Sequence, residues 1–473
     1  MSSIDRPLCV DLDGSLSRVD TLHESLLGLI KQGPSAWWKL PRLLGEGKAA
    51  FKAGVTRLAP VRAQTLPFNT ELLAWLQDEK QRGRRLVLVT ASDQSTADAV
   101  ANHLQLFDEV MASDGRINLS REAKRDALNA RFGAGGYDYV GNSDHDLPIW
   151  QDCAEAVVVG PQAMRRQAEA VSRVGRHFAP RQAGLRTWIR AMRVHQWVKN
   201  LLIFVSPLLA HNLNEPAILL ATCLAFLSFC FCASSVYITN DLLDLESDRR
   251  HPSKCRRPFA AGVLPADRGL MLAAGLLGLS LLLGALVNTY FLLALAAYFA
   301  CTLAYSLYLK RFALIDVMML AGLYAMRVIA GNCAALIWPS FWLLAFSIFL
   351  FLSLGIVKRY TELRDVVLAG KPGAAGRGYY PEDVATLQGL GMAAGYAAVV
   401  VMALYVNSTK SGELYDRPEA LWLLCPIMLF WISRVWLLAG RGHMHEDPIV
   451  FALRDRISWA LVVLLGAGMA LSI

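Results

Sequence analysis

The chain has 473 residues, room for two or three folded units, and 55% of them are hydrophobic against 18% charged, which excludes intrinsic disorder and a small disulfide-stapled scaffold. The charge is uneven, with 49 charged side chains in the first 200 positions and 37 in the remaining 273, so a soluble front and a membrane-embedded rear are expected. Net charge is −3 over residues 1–164, +8 over 165–199 and +3 over the rest; such a distribution favours an anionic membrane surface as partner over nucleic acid.

From Pro7 to about Pro161 short β-branched runs alternate with amphipathic stretches: Leu8 to Asp13, Arg85 to Thr90, Asp108 to Ala112, Tyr137 to Gly141 and Ala156 to Gly160. This pattern predicts an α/β Rossmann-like domain with a parallel sheet over 1–164. Between the first two strands, Thr21 to Leu66 carries Trp37, Trp38 and leucines at helical spacing and reads as a helical cap. The N-terminus leads straight into a strand pattern without an apolar leader, so the front is expected in the cytosol.

The first strand runs into Val10-Asp11-Leu12-Asp13-Gly14, placing two carboxylates two residues apart at the carboxyl end of a parallel strand, where ligand crevices form. One carboxylate can attack phosphorus while the other protonates the leaving oxygen, with Mg²⁺ offsetting the repulsion. Val89-Thr90-Ala91-Ser92, then Lys124, then Gly141-Asn142-Ser143-Asp144-His145-Asp146 come next in order. Together these pieces resemble the haloacid dehalogenase phosphatase superfamily over about 160 residues. The resemblance implies that Asp11 is the nucleophile, Asp13 the acid/base, and Thr90 and Lys124 hold the phosphoryl group. It likewise implies that Asp11, Asp13, Asn142 and Asp146 form the metal site, with Asn142 where the family usually has an acidic ligand.

Residues 165–195 read as a basic juxtamembrane linker: Arg165, Arg166, Arg173, Arg176, Arg181, Arg186, Arg190 and Arg193, with Lys199 just beyond, precede the apolar rear. The rear, 196–473, is an all-α polytopic domain with nine expected spans, near 197–211, 217–240, 269–288, 290–309, 313–334, 339–357, 387–406, 420–439 and 457–472. With the linker cytosolic, 16 of the 20 Lys and Arg after residue 200 fall in or beside cytosolic loops, which gives a multi-pass protein of the inner membrane. Nine cysteines form no CxxC pair, and Cys223, Cys230, Cys232, Cys301 and Cys425 are expected as small core residues within apolar runs.

The second span ends in Asn240-Asp241-Leu242-Leu243-Asp244-Leu245-Glu246-Ser247-Asp248, and a continuous helix would put Asn240, Asp244 and Asp248 on one face with Asp241 beside it. Such hard oxygen ligands suit Mg²⁺ shared with a diphosphate, and Lys254 and Arg257 stand close behind in sequence. A second group comprises Tyr305, Lys310, Asp316, Tyr324 and Arg327; Asp316 and Arg327 lie at apolar depth, where ionisable residues are functional candidates.

These residues resemble the UbiA superfamily of intramembrane prenyltransferases through the NDxxDxxxD motif, over roughly 185–473. The usual second motif, DxxxD, is incomplete, since Leu320 stands four places after Asp316. The stretch Arg193 to Asn200, the HPxKxxRPxAAG segment His251 to Gly262, Lys358-Arg359-Tyr360 and Leu453 to Arg456 resemble the decaprenyl-phosphate phosphoribosyltransferase branch. That resemblance implies transfer of 5-phosphoribose from phosphoribosyl diphosphate to a polyprenyl phosphate, with Mg²⁺ on Asn240, Asp244 and Asp248. Asp241 and Asp316 are then catalytic candidates, and Lys199, Lys254, Arg257, Tyr305, Lys310, Tyr324, Arg327, Lys358, Arg359 and Arg454 candidates for binding substrate. Two other readings stand beside it: an aromatic prenyltransferase using a prenyl diphosphate, and a lipid-binding or transport protein with a noncatalytic front.

Overall fold

The computed structural model describes residues 5–45, 47–179, 183–368, 370, 378–444 and 447–472. Arg181, most of the Gly-rich turn Lys371 to Gly378 and the Trp37 side chain lie outside what is described. The chain divides into two compact units, residues 1–192 with 237–273, and residues 193–236 with 274–473.

The first unit is built on a six-stranded sheet in the order β3-β2-β1-β4-β5-β6. The strands are β1 (Leu8–Val10), β2 (Leu86–Asp93), β3 (Glu109–Ser113), β4 (Asp138–Gly141), β5 (Glu155–Val159) and β6 (Val174–Phe178), every pair parallel. Leu8 pairs with both Leu86 and Asp138, which makes β1 central. Its alternating side chains feed two cores: Leu8 and Val10 pack with Leu72, Leu76, Leu86 and Val140 on one face, and Cys9 with Val87, Tyr139 and Trp150 on the other. The cap consists of helices Thr21–Lys31, Pro34–Trp37, Leu40–Leu44 and Lys48–Leu58. Asp20 starts the first by accepting from the Leu22 and His23 amides. Trp38 is 83% exposed.

The sixth strand corrects the expected boundary at residue 164. The helix Gln162–Glu169 and β6 belong to the sheet domain, so Arg165, Arg166, Arg173 and Arg176 are parts of a folded layer and not of a linker. Arg176 lies over the rings of Trp75 and Phe178. The dense basic count hid a half-exposed edge strand whose inward anchor is Phe178.

The second unit is helical. Across the chain, seven helices among the described residues are long and apolar enough to cross a membrane: Pro216–Leu243, Ala266–Val287, Thr289–Leu307, Ile315–Ala335, Phe341–Leu368, Asp383–Val406 and Pro418–Gly440. Arg456–Ser472 is a shorter apolar helix. The expected first span is a 3₁₀ run, Val194–Phe204, and then a short helix, Val205–Leu209, that contains Pro207. That run packs very closely on Ile315–Ala335, because a Cβ on Gly331 would fall 2.1 Å from the Ile203 carbonyl oxygen. Asn288 caps the helix Thr289–Leu307 by accepting from the Phe291 amide. All nine cysteines are free; Cys230, Cys232 and Cys425 are buried as expected and Cys301 partly so, while Cys223 is exposed.

Candidate functional site

In the first unit the strand order brings the four sequence pieces around Asp11, Thr90, Lys124 and Asn142 to one edge. Asp11 leaves the end of β1, Thr90 lies in β2 beside it, and Asn142 leaves β4 on the other side. Lys124, in the helix Glu122–Phe132, donates from Nζ to Asp11 Oδ1 at 2.8 Å and to Tyr139 Oη at 3.1 Å. Asp13 accepts from the Thr21 amide at 2.8 Å and from the Ser92 hydroxyl. Gly14, at φ +77°, is required here: a Cβ would lie 2.0 Å from Asn142 Nδ2, so the absent side chain lets the Asn142 amide reach the Asp11–Asp13 loop.

Burial pushes the Asp11 carboxyl upward, and the Lys124 ammonium partly offsets it. Burial also disfavours the Lys124 charge, but Asp11 and Asp146 more than compensate and the lysine is held above its ordinary value. Asp13 is raised by burial and by Asp20. Asp146 plays a supporting part: Oδ2 accepts from the Asn142 and Ser143 amides at 2.9 and 3.0 Å, and Oδ1 accepts from Tyr139 Oη at 3.0 Å, which fixes the loop carrying Asn142. Thr90 is fully buried, its hydroxyl accepting from the Ser92 amide. One neighbour was not foreseen: Lys52 of the cap helix Lys48–Leu58 donates to the Ala91 carbonyl at 2.8 Å and to Asn118 Oδ1 at 3.0 Å. Its link to the β2 loop, 39 residues away, has no local sequence signal.

The acidic motif also belongs to the first unit. The single helical face expected for Asn240, Asp244 and Asp248 is not kept, because the helix ends at Leu243 and a second, Leu245–Arg250, starts after Asp244. Asp241 and Asp248 are both buried, and Arg257 Nη1 bridges them at 3.1 and 2.6 Å. Asp244 pairs with Lys31 at 3.2 Å. Among the described residues no three His, Cys, Asp or Glu side chains are placed to hold a metal ion together. The donor set nevertheless fits Mg²⁺: it is all oxygen, and Asn240 Oδ1 is buried with no hydrogen-bond partner. Around the motif, Arg249 makes a bidentate pair with Glu24, Nη1–Oε2 2.9 Å and Nη2–Oε1 2.7 Å. Lys254 is half-buried in the 3₁₀ turn Lys254–Arg256.

The second unit holds three further charge sets. Arg359 donates to both oxygens of the fully buried Asp316, to Tyr305 Oη at 2.9 Å and to Glu362. Arg327 donates to Asn200 Oδ1 at 2.9 Å, to Tyr298 Oη at 2.8 Å and to the Leu323 carbonyl, tying the 3₁₀ run to its neighbours. The third set gathers on Asp447, which sequence reasoning missed: its Oδ2 accepts from Lys199 at 2.7 Å, and Lys358 and Tyr324 Oη each lie at 3.4 Å. Leu320, Tyr324, Lys358 and Asp447 line one small cavity. Lys310 lies in the turn Leu309–Arg311, and Arg454 is exposed at the end of the helix Pro448–Arg454.

A parallel α/β domain joined to a helical domain with several helices of membrane-crossing length is the class these features define. The model of the UbiA prenyltransferase family matches residues 201–453, and the chain belongs to that family. An uncharacterized protein, y4nM, of Sinorhizobium fredii is 34% identical over 98% of this chain and 91% of its own length. The nodulation protein NoeC of Azorhizobium caulinodans is 35% identical over 60% of this chain and 92% of its own. The decaprenyl-phosphate phosphoribosyltransferase of Mycolicibacterium smegmatis is 33% identical over 57% of this chain and 86% of its own. A solved structure of a UbiA homolog from Archaeoglobus fulgidus, 18% identical, covers 60% of this chain and 99% of its own with a TM-score of 0.46.

Proposed function

We propose that the membrane part transfers 5-phosphoribose from phosphoribosyl diphosphate to a polyprenyl phosphate, and that the front domain then removes the 5-phosphate from the lipid product. The observation that carries the transferase reading is the surroundings of Leu320. Where a second acidic motif would place a carboxylate, Leu320 shares a cavity with Lys358 and Asp447, and Asp447 also binds Lys199. Two lysines around one carboxylate suit a phosphate oxyanion better than a second metal ion. The family relatives named decaprenyl-phosphate phosphoribosyltransferase support the same substrate class.

In this reading an oxygen of the lipid phosphate attacks the anomeric carbon, the bond from that carbon to the diphosphate breaks, and diphosphate leaves. Asn240, Asp244 and Asp248 are the residues that would hold Mg²⁺, which when bound would neutralise charge on the diphosphate. Lys254 and Arg257 stand beside the acidic motif to add to it, Asp241 helps to position Arg257, and Lys199 and Lys358 hold a phosphate. In the front domain an Asp11 oxygen attacks phosphorus, Asp13 gives its proton to the departing ribose oxygen, and water then releases phosphate from Asp11. Lys124 and Thr90 orient the phosphoryl group, and Asp11, Asp13 and Asn142 would hold Mg²⁺, with Asp146 fixing the Asn142 loop through the Asn142 and Ser143 amides. The Glu24–Arg249 pair supports coupling of the two steps, since it packs the cap on the segment that carries the acidic motif. The cytosolic face of the inner membrane is where both substrates would meet.

The test is incubation of the purified full chain with Mg²⁺, a polyprenyl phosphate and phosphoribosyl diphosphate labelled separately in the ribose and in the 5-phosphate. Ribose label is expected in the lipid, without the 5-phosphate label for the native protein and with it for Asp11→Asn. Transfer of a prenyl group to an aromatic acceptor, with no ribose label in lipid, overturns the transferase reading. Equal loss of 5-phosphate in both proteins overturns the phosphatase reading.

A further inference from the structure

The second unit holds a cavity of about 630 Å³. It lies far from the phosphate-handling groups. Asp316 is in the first turn of the helix Ile315–Ala335 and Asn332 in its last, ~24 Å apart at 1.5 Å rise per residue. The starts of Phe341–Leu368 and Leu424–Gly440 and the ends of Asp383–Val406 and Arg456–Ser472 complete the walls.

The lining is mostly apolar and aromatic, with Trp338, Trp342 and Phe346 prominent; beside Ser340 and the hydroxyls of Tyr405 and Tyr415, it carries Asn332, Ser206 and Lys410, the three polar groups that matter here. Asn332 is 2% exposed and its Nδ2 has no hydrogen-bond partner; Ser206 is 4% exposed and its Oγ has none. Inside a membrane-spanning fold, unsatisfied donors of this kind call for an acceptor from elsewhere. Lys410 is the sole charged residue of the lining among the described residues, and it is exposed. Trp338, between the helices Ile315–Ala335 and Phe341–Leu368, is 93% exposed.

From these groups we infer that the cavity is a binding site for one chain of an anionic glycerophospholipid. The ester carbonyl accepts from Asn332 Nδ2, with Ser206 Oγ as a second donor, and the headgroup phosphate lies against Lys410. A prenyl tail offers neither an acceptor oxygen nor a charge, so it would leave all three groups unanswered, and the volume falls in the range of about 300–1,000 Å³ that ligand sites occupy. The site is independent of the transferase reading, since no residue of the phosphate-binding set lines it.

The test uses the full chain, stripped of lipid in mild detergent and returned to bilayer discs of equal phosphatidylglycerol and phosphatidylcholine. Bound lipid is counted by native mass spectrometry. One phosphatidylglycerol per chain is expected for the native protein, at least tenfold less for Asn332→Leu, and no preference between the two lipids for Lys410→Gln. Lys410 is exposed, so its replacement leaves the fold intact and the proposal testable if Asn332→Leu fails to fold. Equal retention by all three proteins, no retention by any, or one-for-one displacement of phosphatidylglycerol by added polyprenyl phosphate would overturn the assignment.

Discussion

Replacing Glu24 by alanine separates the cap from the acidic segment by a calculable amount. The Arg249 side chain is 7% exposed and that of Glu24 10%. Arg249 also donates from Nε to the Ala260 carbonyl at 2.9 Å, so the guanidinium stays buried after its partner is lost. Removing one member of such a pair costs about 3–5 kcal/mol. At about 1.4 kcal/mol per factor of ten, the opening equilibrium between the helix Thr21–Lys31 and the segment Leu245–Ala260 rises by roughly 10² to 10³·⁵. Two other pairs join the same surfaces, Lys31 with Asp244 and Arg62 with Glu246, but their side chains are 27–61% exposed and each contributes only about 0–1 kcal/mol. Hydrogen exchange on the full chain reads this directly: amides of Leu245–Ala260 should lose protection in Glu24→Ala, while those of β1, β2 and β4 stay protected. Lys31→Ala should change exchange in the segment less than tenfold. Unchanged protection in Glu24→Ala, or an equal effect from Lys31→Ala, would refute the reasoning.

At the amino-terminal edge of the sheet, Arg84 bridges the buried Glu79 and Asp138, and Arg6 adds a bond to Asp138. Arg84→Met leaves both carboxylates underpaired, so the front domain should lose about 3–5 kcal/mol in chemical denaturation; unchanged stability would mean that Arg6 alone suffices. Asp316→Asn withdraws the charge facing the buried Arg359 and should lower the thermal midpoint of the detergent-solubilised chain, whereas the joint change Asp316→Leu with Arg359→Met should recover most of it. Transferase activity that returned with the double change would show that neither residue takes part in the chemistry. Burial pushes Asp108 up, but hydrogen bonds from Lys80 and the Leu86 amide more than offset it and leave its carboxyl below the usual range. Its stabilisation is therefore present above about pH 4, the unfolded value, and disappears as pH falls through the lower folded one. Asp108→Asn should destabilise at pH 7, and the loss should shrink as pH falls below about 4, as measured by urea midpoints across that range.

Much of the carboxylate edge of the sheet was legible because a parallel strand dictates where the residues at its carboxyl end must lie. A two-residue spacing after β1 places Asp11 and Asp13 at the sheet edge whatever the rest of the chain does, and Gly14 and Asn142 fall opposite each other once β1 and β4 are neighbours. The rear helices were legible from apolar length alone. The features that could not be read depend on partners distant in sequence. Lys199 and Asp447 are 248 residues apart, so no spacing announces their ion pair, and the same holds for Lys52 against the β2 loop. The break at Asp244 was missed because residues on both sides keep helical spacing, and the Asp244 and Asp248 amides still bond four residues back across it. In the 3₁₀ run Val194–Phe204 the apolar composition was right, but Arg193 at φ +51° and Pro207 leave no room for a full-length helix.

The buried charges of the second unit sort by what they have left to offer. Arg359 spends its donors on Asp316, Tyr305 and Glu362, and Arg327 on Asn200, Tyr298 and a carbonyl. Both arginines therefore act on the fold first, and a phosphate could reach either only by displacing strong bonds. The set of Lys199, Lys358 and Asp447 differs in kind: two flexible ammonium groups share one carboxylate oxygen. A lysine reorients around a new oxyanion at little cost in geometry, whereas an arginine fork does not. Lys358 and Arg359 are adjacent on one helix yet face different partners, so a single turn of Phe341–Leu368 divides substrate binding from support. On that argument Lys358→Met, at a side chain one-third exposed, should weaken phosphate binding with little loss of stability, Lys199→Met should lower both because it strips the largely buried Asp447 side chain of a partner, and changes at Arg327 and Arg359 should lower stability first.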